Sequence, residues 1–529
     1  MNIVEIMGRH AVERGNDAAI VDRRGPLTFR ELDEASARVA AHLEQRGLGA
    51  GDPALILCPM SSDLYVTLIG LFRLGATAMF VDPSAGRPHL ERCCRLLSPK
   101  MFLGSAKAHL LRIVSPAIRR IPRHVVIGSW LPIPGTSSIT SRITGPGRAE
   151  VAPVNEQTPA LVTFTSGSTG EPKAAVRTHG FLLAQHAVLE DSPALASGEV
   201  DLTTLPIFVL ANLASGVTSV IPDADLRYPG RIEPGPVFDR LHQLDREHGL
   251  RPSRIAASPA LLARLAAHTR ETPTPLAAFT RIFTGGAPVF PSLLASLHAA
   301  APEAEVTAVY GSTEAEPIAH VTWREIGEAD RHAMRTGAGL LTGHPVASIE
   351  LRILPDRWGQ PIAPLTSEEL DALALPPGEP GEIVVSGPHV LTGYLHGRGD
   401  EETKFDVDGR RWHRTGDAGY LDARGRLWLL GRCSARIDDG HGRVYPFAVE
   451  CALDGIAGVK RTAFLAHGGR RVLVAELEPE ASPRTSETLR AACAWAHPDE
   501  VRIIERLPVD GRHNAKIDYP GLKKLLDRS

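Results

Sequence analysis

The chain reads as an α/β protein. It has a large N-terminal part with mixed and parallel sheets flanked by helices, a β-rich subdomain, and a small mobile α+β domain at the C-terminal end. Three observations predict this. Short apolar runs alternate with helical segments from residue 27 to about residue 310, the pattern of a mostly parallel sheet. From about residue 340 the texture changes to strand-length apolar runs, SIELRIL, GEIVVSG and RLWLLG. The last ~90 residues then mix short helices with the runs TAFLA, VLVAELE and VRIIE.

The elements follow in order. Residues 27–50 predict a helix with Thr28 as N-cap and Glu31 at capping-box spacing. Leu32, Ala35, Val39 and Leu43 keep its apolar stripe, and Gly47 offers a stop. A strand over 53–58, a helix over 62–75 and a strand over 77–81 come next. Further apolar strands are expected at 101–103, 124–127, 160–164, 255–257, 281–283 and 305–309, with an irregular Gly/Pro/Ser-rich connection at 128–158. Helices are expected near 446–455 and 484–495. The boundary falls at 431–435, giving an N-terminal domain 1–431, with its β-rich part at about 340–431, and a C-terminal domain 432–529.

Composition narrows the class. At 529 residues, 43% apolar and 22% charged, the chain can bury a large core, and disorder, collagen and coiled coil are excluded. The formal charge is −3 with no run of basic residues, so nucleic acid is not an expected partner. Six cysteines without zinc spacing suit reduced thiols and a cytoplasmic location. The N-terminal segment, with Glu5 inside its apolar run, makes a poor signal peptide, and no run has the ~18 apolar residues of a membrane span. Gly and Pro, 49 and 42 residues, exceed average usage and call for many turns and some positive-φ loops.

Loops after the strands are where ligands of an open parallel sheet are sought. The strongest is Thr165, Ser166, Gly167, Ser168, Thr169, Gly170, Glu171, Pro172, Lys173, directly after ALVTF. Six small residues in a row leave backbone N–H groups free to converge on phosphate oxygens, the hydroxyls add donors, and Lys173 adds a point charge. The Walker A spacing is absent. This segment matches T-S-G-[ST]-T-G-x-P-K, and on it the chain resembles the adenylate-forming superfamily of acyl-CoA synthetases, luciferases and adenylation domains. The resemblance covers nearly the whole chain, because the remaining family motifs occur in order.

The resemblance implies ATP and Mg²⁺ as cofactors and assigns roles. In Tyr310, Gly311, Ser312, Thr313, Glu314, the aromatic would stack on adenine, Thr313 would meet the α-phosphate, and Glu314 would help hold the metal. Alone, these five residues also suit an ordinary turn. Gly285, Gly286 and Ala287 would run along the adenine edge, and a plain β-turn is equally compatible. Asp417, in His413-Arg-Thr-Gly-Asp, would accept hydrogen bonds from the ribose hydroxyls, although a simple turn would also explain the Thr-Gly-Asp. Arg432 would approach ribose and phosphate. Lys516 would stabilise charge developing on the transferred group; alone, it reads as a surface lysine.

Departures narrow the reading. Ser434 stands where acyl-CoA synthetases carry Asp or Lys at the interdomain hinge, and the glycine-rich hairpin after it reads Asp439-Gly-His-Gly442. Together these put thioester formation in doubt. The Lys516 loop also departs from the family pattern, reading RHNAK instead of hydroxyl-Gly-Lys. The segments Leu205-Pro-x-Phe208 through Asp223 and Pro508–Ile517 resemble the β-lactone synthetases of bacterial long-chain olefin and β-lactone pathways. That implies adenylation of a long-chain 2-alkyl-3-hydroxy carboxylic acid, then closure by its own hydroxyl, with no CoA. It also implies a biosynthetic assembly with thiolase-like and lactone-processing enzymes. Phe208, Asn212 and His320 are candidate substrate-pocket residues. Two alternatives stay open: a fatty acyl-CoA or carrier-protein ligase, and a nucleotide-binding scaffold without activity.

Overall fold

The computed structural model describes the whole chain except residues 83–84, 130–132, 149, 167–170, 193, 272–274, 510–515 and 529. It divides into two compact units. The first comprises Met1–Leu226, Pro236–Ala256 and Gly393–Asp400; the second comprises Arg227–Gly235, Ala257–Thr392 and Glu401–Ser529. The architecture is the expected one, mixed α/β sheets followed by a smaller α+β region.

The first unit holds a seven-stranded sheet in the order Ser137–Ile139, Arg123–Ile127, Met101–Ser105, Pro53–Leu57, Thr77–Phe80, Pro159–Ser166, Pro172–Thr178. All neighbours are parallel except the last two strands, which are antiparallel. The short strand Ser137–Ile139 lies inside the stretch expected to be irregular. A second parallel ladder runs through Arg254–Ala257, Val200–Thr203, Thr218–Val220 and Ala18–Asp22. The helix Phe29–Gln45 begins as its sequence requires: the Thr28 hydroxyl accepts from the Glu31 amide, and the Glu31 carboxylate accepts from the Thr28 amide. An N-terminal helix, Ile3–Glu13, has the same device in Asn2 and Glu5.

In the second unit an antiparallel ladder runs Glu350–Leu354, Gly381–Ser386, Arg410–Leu421, Leu427–Arg432, Leu340–Pro345, Ala315–Thr322, Glu305–Ser312, with Arg281–Gly285 parallel to the last. The C-terminal region has the sheet Val459–His467, Arg470–Leu477, Glu500–Ile504 and helices at Pro446–Ala452, Thr485–Ala492 and Tyr519–Leu526. Alternation along its strands sends side chains to two cores. Phe464, Leu473 and Ala475 pack with Val449, Leu489 and Cys493, while Ala463, Leu465, Val472 and Val474 pack with Leu507, Leu522 and Leu526. All six cysteines are free. Among the described residues, no helix is long and apolar enough to cross a membrane.

Candidate active site

Four of the sequence motifs converge in the second unit. Strand Glu305–Ser312 turns through Thr313 and Glu314 into Ala315–Thr322, so Tyr310–Glu314 is the tip of a β-hairpin. Gly311 is required there: a Cβ would lie 2.9 Å from the Ala315 carbonyl oxygen. Asp417 sits within the twelve-residue strand Arg410–Leu421, not in a turn. The preceding Gly416 adopts φ +69° with its α-carbon against the Trp358 ring, a position closed to any side chain.

The strands bring these residues into bonding contact. The Tyr310 hydroxyl donates to Asp417 Oδ2 at 2.8 Å, and Arg432 Nε lies 3.2 Å from Oδ1. Arg432 Nη1 also donates to the Thr415 carbonyl at 3.0 Å, and the Thr415 hydroxyl accepts from the Asp417 amide at 3.0 Å. Burial, then the neighbouring Asp417 charge, pushes the Tyr310 phenol well above its ordinary range, so it is a hydrogen-bond donor at neutral pH. Asp417 is the foremost influence holding the Arg432 guanidinium protonated, with a further contribution from Glu314. The group therefore combines an aromatic ring, an acceptor carboxylate and an exposed cation.

Beneath it lies a pair without a motif signal. Arg414 and Glu382 are buried together at 2.6 Å, and Arg414 also donates to the Gln360 carbonyl at 2.5 Å. Burial raises the Glu382 carboxyl and Arg414 opposes that rise. The ion pair fixes strand Arg410–Leu421 against Gly381–Ser386, whose register places Arg414 beside Val384. Gly285 ends its strand and Gly286 takes φ +77°, with Ala287 following in the turn.

In the first unit the phosphate-loop candidates lie at the end of the antiparallel pair, with Thr165 opposite Lys173. Gly167, Ser168, Thr169 and Gly170 lie outside the described residues, and Ser166 is described only as a strand residue. Lys173 Nζ stands 5.7 Å from the centre of the Tyr394 ring. Tyr394 pairs by bridge with Ala175, and its amide donates to Asp400 at 2.8 Å. Its only sequence signal is an aromatic residue after Gly393.

The remaining candidates are placed separately. Phe208 and Asn212 are buried in helix Pro206–Ser215 of the first unit. Asn212 Nδ2 donates to Asp201 at 2.8 Å and to Ser219 at 3.0 Å, leaving Oδ1 as its buried acceptor. His320 lies on strand Ala315–Thr322, opposite Val309 on one side and His344 on the other. Lys516 is exposed on the C-terminal region, next to the bridge between Val509 and Ile517. The Asp518 amide donates to the Pro508 carbonyl at 3.0 Å, and Tyr519 donates to the buried Glu450 carboxyl. The other residues of the loop, 510–515, lie outside the described residues.

Among the described residues there is no group of three or more His, Cys, Asp or Glu able to cage a metal. A Mg²⁺ ion carried by nucleotide phosphates needs only one or two carboxylates, and Glu314 can supply one.

The cluster of Tyr310, Asp417 and Arg432 sits on an α/β frame, and the comparisons with known proteins define its class as a ligase that activates carboxylic acids with ATP. A family model described as "AMP-binding enzyme" matches residues 8–395, and the chain belongs to that family. It is 36% identical to an olefin beta-lactone synthetase from Stenotrophomonas maltophilia, over 97% of this chain and 92% of the relative. A protein of the same description from Xanthomonas campestris is 33% identical over 94% and 90%. Among solved structures, the anthranilate CoA ligase AuaEII with anthranoyl-AMP superposes at TM-score 0.80, with 18% identity over 100% and 98% of the two chains. ATP-bound MatB from Rhodopseudomonas palustris gives 0.78 at 19% identity, over 99% of each. The chain is thus an ATP-dependent enzyme that adenylates a carboxylic acid.

Proposed function

We propose that the acid is a long-chain 2-alkyl-3-hydroxy carboxylic acid and that the enzyme closes it to a β-lactone. The observation that carries this reading is the near-full-length likeness to two olefin beta-lactone synthetases. Ser434 at the expected hinge supports it, because the Asp or Lys common in thioester-forming relatives is missing.

In the first step a carboxylate oxygen attacks the α-phosphorus and pyrophosphate leaves. Asp417 accepts from the ribose hydroxyls, Tyr310 offers its ring to adenine, and Thr165, Ser166, Gly167, Ser168, Thr169, Gly170 and Lys173 are assigned to the phosphates. Thr313 meets the α-phosphate, Gly285, Gly286 and Ala287 border the base, and Glu314 would help hold a Mg²⁺ ion, which when bound would neutralise phosphate charge. Lys516, carried by a mobile domain 432–529, stabilises charge on the transferring group. In the second step the β-hydroxyl oxygen attacks the acyl carbon, the bond to AMP breaks, and the hydroxyl proton is lost to solvent. Attack within one molecule needs positioning rather than an external nucleophile. Phe208, Asn212 and His320 are each assigned to the acyl substrate. A cytoplasmic setting beside thiolase-like and lactone-processing enzymes belongs to the same reading.

Mass analysis of products from ATP, Mg²⁺ and a 2-alkyl-3-hydroxy acid, with and without CoA, tests it. The expected result is a CoA-independent lactone with AMP. A product formed only with CoA, as a thioester, would assign the enzyme to the acyl-CoA ligases instead.

A further inference from the structure

Between Glu91 and Glu150 the chain has no Asp or Glu, whereas it has ten Lys and Arg. With 61 acidic residues among 529, a run of 58 positions without one is a marked segregation of charge in a nearly neutral protein. Part of it folds as the crossover from strand Met101–Ser105 to strand Arg123–Ile127, through the short helices Leu111–Val114 and Pro116–Arg119. This crossover lies towards the Ser137–Ile139 edge of the seven-stranded sheet, away from the edge that carries Lys173.

The crossover is apolar on both sides. Leu111 and Ile118 face inward, packed with Leu90, Cys93, Cys94 and Phe102. Leu110, Ile113 and Val114 face outward at 60%, 72% and 51% exposure. Around them Lys107, Arg119 and Arg120 are exposed, and Arg112 donates to the Pro134 carbonyl. Lys100 and Arg148 are neutralised by Asp52 and Glu44, and Glu91 faces Arg87 and the Ser115 hydroxyl. Among the described residues, no carboxylate pairs with Lys107, Arg112, Arg119 or Arg120.

We propose that this face docks on a lipid bilayer carrying anionic headgroups. Aliphatic side chains standing free of the core gain by entering the acyl boundary, and basic residues around them are drawn to the negative surface potential. A nucleic acid would be met by aromatic stacking platforms instead of Leu, Ile and Val. Docking would place an enzyme for a long-chain acid at the phase where such acids partition. It goes beyond the proposed reaction and stands without it, because vesicle binding is read with neither ATP nor acid present.

The test is flotation of the full chain with vesicles of phosphatidylglycerol and phosphatidylcholine in equal parts, against vesicles of phosphatidylcholine alone. Binding is expected to the anionic vesicles and to weaken as salt rises. Ile113→Asp with Val114→Asp, or Arg119→Glu with Arg120→Glu, should each lower the bound fraction at least about tenfold at an unchanged thermal midpoint. Equal flotation with both vesicle types, none with either, or variants that float like the parent would overturn the proposal. So would binding of double-stranded DNA lost in the same arginine variants, or a dimer in light scattering that dissociates in the Ile113→Asp, Val114→Asp variant.

Discussion

The hydroxyl of Tyr310 donates to Oδ2 of Asp417 over 2.8 Å, joining two motifs 107 residues apart. Neither residue points to the other in the sequence. Their strands are not neighbours in the sheet, since Leu427–Arg432, Leu340–Pro345 and Ala315–Thr322 stand between them in its order, and Arg432 completes the group from the strand paired with that of Asp417.

Asp417→Ala should weaken ATP binding through loss of a charge-assisted acceptor. By the ~1.5–3 kcal/mol of such bonds, KM for ATP should rise roughly ten- to a hundredfold. Tyr310→Phe keeps the ring and loses one hydrogen bond, so its effect should be under about tenfold. Steady-state pyrophosphate release at varied ATP separates the two. Equal losses would mean that the hydroxyl, rather than the ring, carries the role of Tyr310.

Lys516→Ala is expected to leave ATP binding intact while lowering acyl-AMP formation by roughly a hundredfold or more, as loss of a transition-state charge partner does. ATP affinity by calorimetry and single-turnover pyrophosphate release measure the two effects. Undiminished release would remove Lys516 from the mechanism.

Close to that lysine, burial pushes the Glu450 carboxyl up to about 8 from 4.5, partly opposed by the bond from Tyr519. Folded protein therefore holds this proton where unfolded chain has lost it. The resulting stabilisation is complete below about pH 4.5 and is lost as pH rises towards 8. Glu450→Gln, which keeps an acceptor for Tyr519, should flatten the pH dependence of the thermal midpoint across that window and raise the midpoint at its upper end. A parallel curve for parent and variant would show that Glu450 ionises normally.

Breaking the Arg414–Glu382 pair on one side should cost about 3–5 kcal/mol, because it strands a buried charge. Glu382→Leu should lower the unfolding midpoint markedly, and adding Arg414→Met should regain part of the loss. A Glu382→Leu variant as stable as the parent would contradict the structural role given to the pair.

Legibility in the sequence follows locality. The Thr28–Glu31 capping box and the strand periodicity depend on neighbours three residues apart or fewer, and both are readable. The mid-strand place of Asp417 depends on pairing with distant strands, whereas the turn at Tyr310–Glu314 is local, the tip of a hairpin in which Ser312 faces Ala315. Tyr394 beneath Lys173 and Arg414 beside Glu382 are contacts of folding alone. The basic crossover is written plainly, but as an absence of acids rather than a cluster of bases. The Asn2–Glu5 capping box is equally local, and it lies where an N-terminal segment invites a question about targeting instead of about helices.

The central claim is that AMP leaves from the acyl carbon under attack by the substrate's own hydroxyl. A 2-alkyl-3-hydroxy acid labelled with oxygen-18 in both carboxylate positions, incubated with ATP and Mg²⁺ without CoA, tests it directly by mass analysis of both products. The account expects one label in AMP and one in the lactone carbonyl, with an unlabelled ring oxygen. A lactone retaining both labels beside unlabelled AMP would mean that the hydroxyl carbon was activated and the carboxylate attacked it, and would contradict the account.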